Sequence, residues 1–368
     1  MRWFFGGLCA LALLVPGPAR AEEDVRISLL SRRAAVTVSG PGLTVLDAEV
    51  GDRLFFSEST AKKRVRVKEG YLVVADRRAK RILVEAKDAV HLGKGVYYGR
   101  LEIGIEPDHP DKLYVLNRLP IETYLLGIVG SEMNPSWPIE ALKAQAVAAR
   151  SYAMQRRMMM RAANRPYDLA DSVLSQVYKG AERIRPSVIR AVTETRGEVI
   201  AYRHGLVEAL FHSTCGGRTV SARSAFGNHV PYLKPKKCKW CRESHRHRWK
   251  LNVPVDELSG RLSRAKLIRG SLSRLERDEG VEYVSVRDGR GSRRLDPRKV
   301  RKAVGFSKLY SARFSAKTRG RQVEIEGRGF GHGVGMCQWG ARGMAAQGKT
   351  YEQILEYYYD GARVQKIY

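Results

Sequence analysis

The sequence predicts an α+β protein, with a β-rich unit over residues 22–110 followed by a mixed α/β core with a groove over residues 111–368. Three observations carry this expectation. Residues 25–110 run as short alternating or β-branched segments separated by turn residues. Residues 139–160 place apolar side chains at steps of three and four, the period of a helix face. Residues 327–340 read GRGFGHGVGMCQWG, with glycine at every second position from 327 to 335.

The chain opens MRWFFGGLCALALLVPGPARAEED. Arg2, an apolar run from Phe4 to Val15, the breakers Pro16 and Pro18, and Ala19-Arg20-Ala21 form a secretory signal pattern. Cleavage of residues 1–21 would leave 347 of the 368 residues, in a secreted, periplasmic or cell-envelope location. No later segment approaches the roughly 20 apolar residues of a membrane span, so no integral membrane segment is expected after cleavage. AAVTVSG, LTVLDAEVG, KRVRVKEGYLVVAD and KRILVEAKDAVHLG read as strands, and KLYVLNRLP as the strand that leads into a helix near Ile121–Gly130. Pro135 to Pro138 interrupt the chain. Ser136 is expected to cap the next helix, with Pro138 in its first turn and Glu140 near the positive end of its dipole. Ile139, Leu142, Ala146, Ala149 and Ala153 give that helix a narrow small-residue face suited to close packing. A loop-rich stretch follows over residues 164–182, then a helix and strand ending in TCGGRT, and a basic, cysteine-bearing segment over residues 228–250. Strand patterns return in VEYVSV, LYSARFSA and QVEIEG. The end reads as two helices, over residues 337–347 with Gly348 as stop, and after a Thr350–Gln353 capping box.

The formal charge is +28, and signal cleavage would lower it to +26 by removing Arg2 and Arg20. A charge of this size serves either solubility through scattered surface arginines or a polyanionic partner, and charge alone does not decide between them. The chain has no RNA-binding aromatic signature, zinc-finger spacing or basic-region heptads, so nucleic acid is not the expected partner. Outside the cytoplasm, an anionic wall polymer or lipid headgroup takes its place.

Four cysteines remain after cleavage: Cys215, Cys238, Cys241 and Cys337. An oxidising compartment favours two disulfides. The C-x-x-C at 238–241 keeps a structural zinc open, because two thiolates on one knuckle plus two distant ones complete a tetrahedron. Lys236, Lys237, Lys239 and Arg242 would favour thiolates, and His212 and His245 are substitute ligands.

The glycine run fits neither nucleotide template. A P-loop needs G-x-x-x-x-G-K-S/T and a dinucleotide loop needs G-x-G-x-x-G opening a βαβ unit; here the required last glycine falls on His332 or Val334. The alternation reads instead as one bare face of an extended segment, which another backbone or a flat ligand could approach.

GRGFGHGVGMCQWGARGMAAQGKTYEQILEYYYDGARV resembles the C-terminal signature of the stage II sporulation protein D and amidase-enhancer family. LPIETYLLGIVGSEMNPSWPIEALKAQAVAARSYAM is similar to that family's central signature, and DSVLSQVYKG and FHSTCGGRT lie between them in the expected order. The resemblance spans about Leu113 to Val364 and leaves residues 25–110 as a variable leader.

The resemblance implies work on peptidoglycan. Sporulation members of the family are lytic transglycosylases that cut glycan strands stripped of their peptides, with the Glu of an S-E-M motif as catalytic acid; Glu132 stands at that position. Such an enzyme needs a single carboxyl and no cofactor for catalysis, whereas ordinary glycosidases need two carboxylates. Apolar Met133 and Trp137 are expected to keep Glu132 protonated near neutral pH. Lys143 and Arg150 match basic positions of the motif and are expected to meet the lactyl carboxylates of stripped strands. Trp137, Gln176, Tyr178, His332 and Gln338 complete the expected binding residues. The expected partners are glycan strands and a cell-wall amidase. The alternative reading is a non-catalytic binder that enhances such an amidase. Some clostridial relatives hold zinc just before the Q-x-Y motif, but YDLADSVLSQVY has no Cys or His. Any zinc here would use the four cysteines.

Overall fold

The computed structural model describes residues 24–170, 178–278 and 281–368; the signal segment and Gln176 lie outside them. The fold is α+β, and the buried apolar side chains gather in three clusters.

The first cluster lies between two sheets built mostly from the N-terminal third. Strand Asp24–Arg33 pairs antiparallel with His109–Pro120, from Asp24 opposite Pro120 to Arg33 opposite Leu113, with register shifts between Ser28 and Leu30 and between Leu30 and Arg33. Arg100–Glu106, Arg81–Glu85, Thr44–Asp47 and Arg53–Phe56 extend this sheet in that order. Ala35–Pro41 in the facing sheet alternates buried and half-buried residues, and Val36 and Val38 enter the shared core. The period-2 pattern read from sequence is thus the pattern that builds the sandwich.

The strand ending at Pro120 runs directly into helix α1 (Ile121–Glu132). A turn through Asn134–Trp137 leads to α2 (Ile139–Ala162). Ser136 is not the cap expected of it. Pro138 holds the N-cap position, and its carbonyl accepts from Ala141 and Leu142, while the Ser136 N–H donates to Asn134 Oδ1 at 3.0 Å. The buried face of α2 is also wider than the expected narrow stripe, because Ala141, Ala144, Val147 and Ala148 are fully buried as well. Its small side chains let α2 pack on α1, on α3 (Pro186–Glu194) and on strand Glu198–Tyr202. Asp168 anchors the end of α2 to the first sheet. It is fully buried and accepts from Arg26 at 2.8 Å and Arg161 at 3.2 Å.

After the short α4 (Ala222–Phe226) and the cysteine knuckle, the chain builds a third unit around its own core. Arg248–Pro254, Gln322–Arg328, Phe314–Arg319, Leu272–Arg277, Val284–Asp288 and Gly291–Leu295 form one antiparallel sheet in that order. Helices α5 (Val255–Arg264) and α6 (Pro297–Val304) pack on each other and bury Leu258, Leu262, Val300 and Val304 in that core.

The glycine run returns the chain to the central cluster. The expected bare strand face does not form, because the strand ends at Arg328. Gly329, Gly331, Gly333 and Gly335 instead have φ of +77°, +113°, +81° and +69°, a region that side chains other than glycine rarely adopt. The run lies against residues 210–216, and its Phe330, Gly331, His332 and Gly333 also line the cleft. A Cβ on Gly331 would sit 2.7 Å from that of His212, and one on Gly335 would overlap the Leu210 carbonyl oxygen. Helix α7 (Gln338–Ala346) follows, then α8 (Tyr351–Tyr358), whose Thr350–Gln353 capping box is formed as expected.

Candidate active site

A cleft of about 2180 Å³ opens between the central cluster and the third unit. Its lining includes Glu132, His212, His332 and Gln338 from the central side, and Arg248, Trp249, Arg277, Arg301 and Arg313 from the third unit or its edge. Ten basic side chains line it against five acidic ones, so its walls are cationic.

Glu132 is the last residue of α1 and is half-buried in the cleft wall. Gln338, the first residue of α7, is 5 % exposed. Its amide Nε2 donates to Glu132 Oε2 at 3.3 Å and to Gln145 Oε1 at 3.2 Å. Gln145 rises from α2 and is fully buried, and its own Nε2 has no hydrogen-bond partner among the described residues. The α1 end, the α2 middle and the α7 start therefore meet in one chain of amides that fixes one carboxyl oxygen of Glu132.

Two neutral histidines brace the adjoining wall. His332 Nδ1 accepts from the Val334 N–H at 3.1 Å, which puts the proton on Nε2, and that donates to the Phe211 carbonyl at 2.9 Å. Burial pulls the His332 pKa down to about 4. His332 thus ties the glycine run to the chain segment beneath it. His212 donates from Nδ1 to the Val334 carbonyl at 3.0 Å, which leaves Nε2 as a buried acceptor without a partner among the described residues. Burial, with the His332 charge second, pulls its pKa to about 3.

Other residues expected at the site lie elsewhere. Arg150 is fully buried inside the central cluster. Its guanidinium donates to both oxygens of Glu122, at 2.8 and 2.7 Å, and to the Glu198 carbonyl at 2.9 Å. It has no route to a ligand in the cleft, and the physical reason for its position is this core ion pair. Burial alone would raise the Glu122 pKa, but the Arg150 hydrogen bonds and charge, helped by Tyr368, hold it below the ordinary carboxylate range. Lys143 also faces away from the cleft and bridges Glu194 at 2.7 Å and Glu140 at 3.2 Å. Tyr178 is 2 % exposed and donates to Asn117 Oδ1 at 2.7 Å, so it is a core residue under α1. Trp137 packs edge-on to Trp339 with centroids 5.0 Å apart, and the Arg342 guanidinium lies 5.0 Å from the Trp339 ring. Both rings are half-buried; Trp339 follows Gln338 directly, and Trp137 lies in the turn between α1 and α2. The four cysteines are buried and come together, with their sulfurs all within 4.8 Å of one another.

Gln145 was not among the expected site residues, nor were the arginines of the third unit, and His212 was expected only as a substitute metal ligand. Gln145 had a readable signal: it lies three residues after Leu142, a lone polar residue on an otherwise small apolar face. The third-unit arginines had none, because their segments carry no motif.

Fold and cleft define an α+β protein with Glu132, held by the buried Gln338 amide, in the wall of a large cationic cleft. Residues 109–202 match the family described as Stage II sporulation protein. The chain is 31% identical over 264 residues to Stage II sporulation protein D of Bacillus subtilis (strain 168), covering 68% of this chain and 76% of that protein. It is 36% identical over 289 residues to an uncharacterized protein of Brachyspira hyodysenteriae, covering 77% of this chain and 76% of that protein. It is 27% identical over 290 residues to the amidase enhancer of Bacillus subtilis (strain 168), covering 64% of this chain and 39% of that protein. The chain belongs to the stage II sporulation protein D family.

Proposed function

We propose that this protein is a peptidoglycan lytic transglycosylase of the cell envelope, acting on peptide-stripped glycan strands through Glu132. The observation that carries the reading is the placement of Glu132 in the cleft wall, with one carboxyl oxygen held by Gln338. The other support is the cationic lining, which suits a polymer bearing one lactyl carboxylate on each muramic acid.

In this mechanism Glu132 starts protonated, and its position at the C-terminal end of α1 sets the negative end of the helix dipole against ionisation. The acid gives its proton to the glycosidic oxygen as the bond to muramic C1 breaks. The C6 hydroxyl of the same sugar attacks C1, and Glu132 recovers a proton from it as the 1,6-anhydro ring closes. One carboxyl therefore serves as acid and then base, and no water is consumed. Gln338 keeps that carboxyl oriented through both transfers.

The test is digestion of amidase-stripped glycan strands with the purified protein, read by mass spectrometry. Anhydro-ended fragments that disappear in Glu132→Gln would establish the reading. No product, together with faster turnover by an added cell-wall amidase, would establish an enhancer instead; the likeness to the amidase enhancer makes that arm worth running.

A further inference from the structure

We infer that Cys215, Cys238, Cys241 and Cys337 bind one zinc(II) ion as four thiolates, and that this ion pins the start of α7 to the cleft wall. Three separate stretches of chain supply the ligands. Cys215 follows strand Phe211–His212, Cys238 precedes and Cys241 ends a short 3-10 turn, and Cys337 is the N-cap residue of α7. All four are buried, and none is in a disulfide. A tetrahedral zinc with Zn–S bonds of about 2.3 Å places its sulfurs about 3.8 Å apart. Here the four lie within 4.8 Å of one another and Cys215 and Cys241 are 3.5 Å apart, values that bracket that edge.

The surroundings supply an independent argument. Zinc binding releases four thiol protons to solvent and leaves a complex of net charge −2 in a buried place, which is stable only if donors point at the sulfurs. They do. Cys337 Sγ accepts from the Cys215 N–H at 3.2 Å and the Gly340 N–H at 3.3 Å. The buried Tyr358 hydroxyl lies 3.2 Å from Cys238 Sγ, and His247 Nδ1 lies 3.3 Å from Cys241 Sγ. Four groups able to donate thus converge on three of the sulfurs, and one of them, the Gly340 N–H, belongs to the first turn of α7, the positive end of that helix. Neutral thiols would not require such a set. Four thiolates leave no open coordination position, so the ion is structural. Because Gln338 follows Cys337 directly, fixing Cys337 also fixes the amide that holds Glu132.

The test is metal analysis of the full-length secreted chain, purified without reductant or chelator. Inductively coupled plasma mass spectrometry is expected to find one zinc per chain. Replacement by cobalt(II) should give the intense sulfur-to-cobalt charge-transfer absorption of a tetrahedral thiolate site. Cys238→Ser should lower the zinc content of whatever folded protein is recovered, and the wild-type cobalt spectrum decides the matter should that variant fail to fold. A chain lighter than its reduced form by four hydrogens, showing two disulfides, would overturn the proposal. So would stoichiometric iron, or four titratable thiols with no metal. None of these readouts depends on what the cleft cleaves.

Discussion

Helix α1 carries two glutamates ten residues apart, and they sit in opposite surroundings. Glu122 at its start is buried, with both oxygens on the Arg150 guanidinium and further donors from Gly197 and Tyr368. Glu132 at its end is half-buried in a cleft wall, and the Gln338 amide donates to one of its oxygens. The first arrangement holds a permanent anion and locks α1 to α2 and to the strand after α3. The second gives a carboxyl at the cleft a neutral amide donor, which suits the proposed role of giving up and recovering a proton. The same residue type on one helix is thus spent in a core ion pair at one end and placed at the cleft at the other, where the proposed chemistry would use it.

The sharpest way to test this contrast is Glu132→Gln. It should reduce cleavage of stripped glycan by about 10²–10⁴-fold, the usual contribution of a general acid, with no change in the thermal midpoint. Arg150→Met should do the reverse. Leaving Glu122 buried without its cation should cost about 3–5 kcal/mol of stability, read as a lower urea midpoint, while the protein that remains folded keeps its cleavage rate. Gln338→Ala should slow cleavage by roughly tenfold, about 1.4 kcal/mol, by freeing the Glu132 carboxyl to rotate. This loss should appear in kcat more than in KM.

Acidification probes the buried anions directly. The pKa values of Glu122 and Asp168 are held below the ordinary carboxylate range; in each, burial alone would raise the pKa, and hydrogen bonds from arginine outweigh it. Their stabilisation is therefore complete above that range and is lost as pH falls through their lowered folded values. The urea midpoint should fall on acidification, and Arg150→Met should show a shallower fall than wild type. The smallest effect is expected from Lys143→Ala. Its bridges to Glu194 and Glu140 lie away from the cleft, so cleavage should be unchanged and the thermal midpoint should move least of the series.

Much of the fold was legible from periodicity. The alternating segments became the strands of the sandwich, the three-and-four spacing became α2, and the Thr350 capping box formed as written. Glu132 and Gln338 were legible through motif resemblance, and the structure brings them within hydrogen-bond distance across 206 residues of sequence. Lys143 and Arg150 were legible as motif positions, but a motif records that a residue type recurs and does not say whether its side chain points into a cleft or a core. The glycine alternation was legible as a close approach, yet its form was misjudged. Period two suggests an extended strand, while these glycines take positive φ, which no periodicity argument reveals.

The sequence by itself determined the element order, the helix caps at the C-terminal end, the excess of positive charge and the identity of the candidate acid, because each is written in spacing or composition along neighbouring residues. Only the tertiary structure decided which basic side chains face the cleft and which are spent in the core, that three distant segments bring four sulfurs together, and that Gln145 and Gln338 join in orienting Glu132. Those outcomes depend on which chain surfaces pack against one another across more than a hundred residues, and contact over that distance leaves no local signature.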